Sequence, residues 1–214
     1  MRYYTDMAEP VKRGLRAEHA ALTRARILDA ARRVFEQRGY GGARIEDIAA
    51  EAGVAVPTVY KAFINKRRLL TGVVERTMTG ADHAGPIDQQ AWWQEQMLEP
   101  DPRRQLRLIA RNARRIYERA GTVLEVVRAA ATPVPEIAAI WKDVSVQRLA
   151  RSRRTAKRLL ARAGEGARFG TTETTMTLWS LTSPELYTAH IGAGRTPDQY
   201  ERWLGDVLTS TLLV

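Results

Sequence analysis

Cysteine is absent from this 214-residue chain, which excludes a disulfide framework and any thiolate metal site. Histidine is scarce as well: His19, His83 and His190 lie far apart, and none has an H-x-x-H or HExxH companion. The chain holds no G-x-S-x-G, no glycine-lysine phosphate loop and no GxGxxG following a strand. Its carboxylates form no pair that could be assigned to acid–base work. These absences point away from an enzyme and from a metal or other cofactor. No apolar run approaches the roughly 18 residues that a membrane span needs. The opening MRYYTDMAEPVKRG lacks the apolar core of a secretory signal. The expectation is a soluble, cytoplasmic protein with no membrane partner.

The chain is rich instead in apolar material and positive charge. Hydrophobic residues make up 44%, enough for a real core. The net charge is +10, which favours a polyanionic partner or simply a basic surface. Residues 1–80 carry 15 Lys and Arg against 9 Asp and Glu, while residues 81–214 carry 19 against 15, so the surplus is denser in the first third.

One stretch organises the rest: residues 45–66, IEDIAAEAGVAVPTVYKAFINK. Ile45, Ile48, Ala49 and Ala52 share one face of a short helix. Gly53 comes next, where a helix end favours positive φ, and Pro57 suits the first turn of a second helix. Val59 and Phe63 would face inward, leaving Thr58, Tyr60 and Lys61 outward. Two short helices around a tight glycine turn make a helix-turn-helix, whose second helix can enter a DNA major groove. An ordinary helical hairpin would show the same periodicity. In the DNA-reading case Val56, Pro57 and Thr58 start the reading helix; Val56 and Pro57 suit a thymine methyl, and Thr58 can hydrogen-bond a base or phosphate.

The residues from Thr23 to Leu70 resemble the DNA-binding domain of the tetracycline-repressor (TetR) family. Thr23, Ile27, Leu28, Ala30, Ala31, Phe35, Gly39 and Tyr40 match its first helix; AGV at 52–54, Thr58, Tyr60, Phe63, Lys66, Leu69 and Leu70 match its later helices. The resemblance implies phosphate contacts for Thr23, Tyr60 and Lys66, and a phosphate or base for Lys61. Arg44 stands where relatives keep Ser or Thr and could add a contact. Ala55 and Ala43 replace a common capping Ser and a common Thr, so affinity leans more on Arg and Lys. One reading helix buries too little surface for operator selectivity, so a homodimer on a palindromic double-stranded operator is expected.

Three segments are expected along the chain. Residues 1–21 read as a flexible basic arm in which Lys12, Arg13 and Arg16 could reach DNA. Residues 22–84 form the helix-turn-helix domain, with a first helix over 22–38 closed by Gly39 and a fourth helix from about 65, capped by Asn65, bridging toward Gly80 and Gly85. Residues 85–214 form an all-α ligand-binding and dimerisation domain. Its expected helices are a short one through Trp92, Trp93 and Met97, then 102–119, 123–131, one from about 136, one kinked at Pro184, and a last one opened by a Thr196–Gln199 capping box. The basic run from Arg148 to Arg162 reads as a solvated face or a second nucleic-acid patch.

The resemblance further implies a small-molecule effector in the second domain. Met78, Trp92, Trp93, Met97, Ile109, Tyr117 and Trp141 are its candidate lining residues, suited to a hydrophobic or aromatic compound. It also implies that the last long helices pair with their copies, making Trp179, Leu186, Tyr187, Trp203, Leu204, Val207 and Leu208 interface candidates. The function expected is a ligand-responsive, sequence-specific transcriptional regulator, in this family most often a repressor released by its effector. The rivals are a helical small-molecule-binding or scaffold protein with a vestigial helix-turn-helix, and a sequence-blind basic DNA binder.

Overall fold

The computed structural model describes the backbone of residues 8–80 and 85–214, and side chains from residue 17 onward over the same stretches. The side chains of Lys12, Arg13 and Arg16, and all of His83, lie outside the described residues. Every regular element among the described residues is helical; the sole extended pairing there is an isolated bridge between Ala167 and Leu213. The chain divides into two compact units, Met1–Val73 and Val74–Val214.

The first unit begins with α1 (Ala8–Gly42), which is helical well before the expected start at residue 22. At Gly39 the backbone turns to φ 66°, ψ 176°, so the regular helix stops where the sequence places its stop, and a last turn comes after it. Then come α2 (Ile45–Ala52), α3 (Val56–Phe63) and the start of α4 (Lys66–Thr79). Ile27, Ala31, Val34 and Phe35 recur at helical spacing on α1 and are buried with Ile48, Val59, Phe63, Leu69 and Leu70. Each such large side chain, fully buried, contributes about 1.5–3 kcal/mol of transfer free energy. The close approach of α4 is made possible by Gly72, where an added Cβ would lie 3.0 Å from Leu28 Cδ2 and 3.3 Å from Phe63 Cε1.

The second unit takes the last turn of α4, then α5 (Ala91–Leu98), α6 (Pro102–Ala131), α7 (Pro135–Ala163), α8 (Thr171–Leu181), α9 (Pro184–Gly192) and α10 (Pro197–Leu212). At its centre lies α6, packed against α5, α7, α9 and α10. The two helices expected over 102–119 and 123–131 are one helix. Gly121 does not break it, because Ala120, Val123, Leu124 and Val127 continue the buried face across it. Conversely, the helix expected to kink at Pro184 is two. Thr182 ends the first, and Ser183 caps the second by accepting the Leu186 N–H at 3.2 Å. The predicted cap at Thr171 or Thr172 is also displaced: α8 starts from Gly170 with no side-chain cap. The Thr196–Gln199 capping box is present, with Thr196 Oγ1 accepting the Gln199 N–H at 3.2 Å and Gln199 Oε1 accepting the Thr196 N–H at 2.8 Å.

Candidate functional site

Between α2 and α3 the chain reverses on Gly53, held at φ 63°, ψ 41°, where a side chain would be strained. Its N–H donates to Ala50 O at 3.1 Å and the Val54 N–H to Ala49 O at 3.0 Å, closing α2. Ala55 then occupies the N-cap of α3 in extended conformation, without a side-chain cap, so the hydroxyl missing from the sequence is missing from the helix start. Pro57 lies in the first turn, its absent N–H costing nothing there. Val59 and Phe63 are buried, so Pro57, Tyr60 and Lys61 stand exposed, with Val56 and Thr58 half-buried beside them. Of the outward set Thr58, Tyr60 and Lys61, Tyr60 and Lys61 are exposed and Thr58 is half-buried.

Four arginines of α1 that sequence reasoning passed over set this pair of helices in place. Arg26 Nη2 donates to Ala52 O at 2.7 Å, at the C-terminal end of α2. Arg24 Nη1 donates to Ala62 O at 2.6 Å near the end of α3, its guanidinium lying 4.0 Å from the centre of the Phe63 ring. Both cations meet helix ends where unpaired carbonyls carry partial negative charge. Arg33 pairs with Glu51 at 2.7 Å and Arg38 with Asp47 at 2.5 Å. These exposed pairs are worth at most about 1 kcal/mol each, but together they fix the angle at which α2 and α3 leave α1. The only sequence signal was the seven-residue spacing of Arg26 and Arg33 on one helix face.

The other candidates of this unit divide. Arg44 is exposed and 3.5 Å from Glu46. Thr23 is half-buried on α1. Asn65 caps α4 as expected, its Oδ1 accepting the Arg68 N–H at 2.9 Å. Lys66, for which the resemblance implies a phosphate contact, also makes contacts within the unit. Its Nζ donates to Ala43 O at 2.7 Å and lies 4.5 Å from the Tyr40 ring centre, so it braces the start of α4 against the loop before α2.

A cavity of about 90 Å³ lies within the second unit. Met78, Trp92, Trp93, Ile109 and Tyr117 line it as predicted; Met97 and Trp141 do not. Met97 sits behind the wall, its sulfur 3.8 Å from Thr155 Oγ1 and its carbonyl oxygen accepting from Arg162 at 2.8 Å. The sequence reading missed the polar part of the lining: Gln96, Asn112, Arg148, Arg151, Ser152, Thr155 and Thr182. Asn112 Nδ2 donates to Trp92 O at 3.3 Å and Gln96 Oε1 at 3.0 Å, tying α5 to α6, while its own Oδ1 is buried without a partner. Tyr117 donates its hydroxyl to Thr182 O at 2.6 Å, and burial raises its pKa. Burial also pushes the Arg151 guanidinium below its ordinary value.

The basic run is therefore corrected in part. Lys157 and Arg158 are exposed, but Arg148 is only 9% exposed, Arg154 reaches Asp88 at 2.6 Å, and Arg162 binds the end of α5. Arg148 and Arg162 tie α7 to its neighbours, while Arg154 pairs with Asp88 and stays exposed. Among the interface candidates, Leu204, Leu208 and Tyr187 are buried within the single chain and serve its core. Trp179, Leu186, Trp203 and Val207 are half-buried. Among the described residues no helix is long and apolar enough to cross a membrane.

Fold and site together define an all-α protein with a helix-turn-helix in its first unit and a cavity-bearing helical second unit. Residues 27–73 match the family model of bacterial regulatory proteins, tetR family. It is 39% identical over 66 residues to the HTH-type transcriptional repressor SCO4008 of Streptomyces coelicolor, covering 31% of this chain and 34% of that one. The chain thus spans about a third of the length of the curated relatives it matches. In fold the likeness runs further. A TetR-like transcriptional regulator from Rhodococcus sp. RHA1 superposes with a TM-score of 0.57 at 20% identity, over 88% of this chain and 94% of that one. A protein from Saccharomonospora viridis, solved in complex with choline, superposes with a TM-score of 0.67 at 20% identity, over 89% and 97%.

Proposed function

We propose that the protein is a ligand-responsive, sequence-specific DNA-binding regulator, acting as a repressor that leaves its operator when a small molecule fills the second unit. The observation that carries this reading is the outward face of α3, with Pro57, Tyr60 and Lys61 exposed and Thr58 half-buried, presented beyond the Gly53 turn, with Arg24 tying α3 and Arg26 tying α2 to α1. Such a helix places its first residues at base edges and its flanking hydroxyl and ammonium groups at phosphates. Two copies on a palindrome supply the surface and the selectivity that one short helix lacks.

Release requires the ligand to prefer the unbound state. Met78, in the cavity wall, belongs to the last turn of α4, which Arg119 holds by donating to Thr77 O and Met78 O at 3.3 Å. A ligand packed on Met78 would act directly on the helix whose first turn Lys66 anchors beside the reading head. The choline complex of the Saccharomonospora viridis protein supports a small-molecule role for a helical unit of this fold.

The test is selection of bound duplexes from a random pool at near-physiological salt, with the native protein and with Tyr60→Ala. The expected result is an enriched palindrome, lost in the variant. Equal recovery of all sequences by both proteins would overturn the reading.

A further inference from the structure

The cavity's charge is one-sided. Arg148 and Arg151, three residues apart on α7, are its charged lining residues, and no carboxylate lines it among the described residues. Arg148 is nearly enclosed, and its hydrogen bonds go to neutral carbonyls: Trp179 O at 2.5 Å and Thr182 O at 3.4 Å. Three residues apart on one helix, the two side chains share a face of α7 where they line the cavity. The carboxylate acting on Arg151 is Asp88, and that group already accepts a 2.6 Å bond from Arg154. A buried cation without a full counter-charge is costly, and an anion that enters restores the pairing. The remainder of the wall is apolar and aromatic: Met78, Ile87, Trp92, Trp93, Ile109 and Leu178.

We propose that this cavity binds a small organic acid, its carboxylate on Arg148 and Arg151 and its apolar body against Trp92, Trp93 and Ile109. The proposal rests on the cavity being the effector site of the regulator and names the ligand's chemical class. Guanidinium groups suit a carboxylate because their planar fork can meet both oxygens. A neutral compound would leave the arginines as they are. A cation such as choline, which the Saccharomonospora viridis protein holds, would be repelled here. The cavity's size, about 90 Å³, favours a single ring or a short chain over a large drug-like compound. A hydrophobic effector, expected from the aromatic lining alone, becomes an amphipathic anion once Arg148 and Arg151 are counted.

Benzoate, benzamide and choline are suitable probes, sharing small size and differing in charge. Each is titrated into the full chain and into Arg151→Gln by calorimetry, with tryptophan fluorescence reporting from Trp92 and Trp93. Arg151 is the residue to change because its side chain makes a 3.5 Å contact to Gln147 on its own helix, whereas Arg148 joins α7 to α8 and its loss could unfold the unit. Benzoate is expected to bind at least about tenfold tighter than benzamide, the scale of one charge-assisted hydrogen bond. Choline is expected not to bind, and Arg151→Gln should abolish the benzoate advantage while leaving benzamide unchanged. Benzamide or choline binding as tightly as benzoate, or an advantage that survives in the variant, overturns the anionic class and leaves the cavity a ligand site. Binding of none of the three overturns the proposal together with the effector role of the cavity. Operator selection stands independent of all these outcomes, so the failures are told apart.

Discussion

Ile64 has positive φ, at 63° with ψ −51°, and is the sole non-glycine residue with positive φ among the described residues. The Asn65 N–H reaches back to Phe63 O at 2.6 Å, making a tight three-residue turn in a strained region for a β-branched side chain. That side chain is 74% exposed, so it gains little from packing. Ile64→Gly should raise stability by about 1 kcal/mol, the strain relieved outweighing the added chain entropy. Thermal unfolding of the two proteins measures it. A second contrast separates binding from bracing. Lys61→Ala should leave the unfolding temperature unchanged and reduce the slope of log affinity against log salt by about 1, as loss of one phosphate contact does. Lys66→Met should lower the unfolding temperature, because it removes the bond to Ala43 O and leaves that carbonyl unpaired. At this scale the exposure of Tyr60 and Lys61 was legible from periodicity alone, while Thr58 is half-buried. The fate of Lys66 was not, since its partner lies 23 residues away and only the folded chain brings the two together.

At the scale of elements, two glycines inside helices have opposite meanings. Gly72 of α4 lies against Leu28 and Phe63 with no room for a branched side chain. Gly72→Val should destabilise the first unit by about 1–3 kcal/mol through overpacking. Gly121 of α6 faces Tyr187, where an added Cβ would make ordinary contact at 3.8 Å. Gly121→Ala should stabilise the second unit by about 1 kcal/mol through helix propensity. Denaturant unfolding of each variant checks both signs. The same glycine explains a misreading: Gly121 looked like a break between two helices, yet the buried face continues through it and tertiary packing overrides propensity. Caps with a hydroxyl or amide in sequence, at Asn65 and Thr196, were readable; the start of α8 at Gly170, with no such group, was not. The inward turn of Arg148 was hidden for a related reason. A basic run looks alike whether it faces water or carbonyl groups of another helix, and only Trp179 O and Thr182 O decide.

As a whole, the molecule joins a helix-turn-helix unit to a helical unit with a small, positively lined cavity. The all-α class and the helix-turn-helix were legible because helical periodicity and the AGV…TVY spacing are local signals. The cavity was half legible: its aromatic lining could be guessed from residue type, while its charge depends on which side of α7 packs inward. The central claim is that α3 reads sequence, and not merely phosphate. It is tested most directly by competing the selected palindrome against a scrambled duplex of equal length at near-physiological salt. A sequence-reading α3 predicts preference for the palindrome by about a thousandfold or more, the range of specific DNA readers. A preference below about tenfold, with affinity set by salt alone, would contradict it.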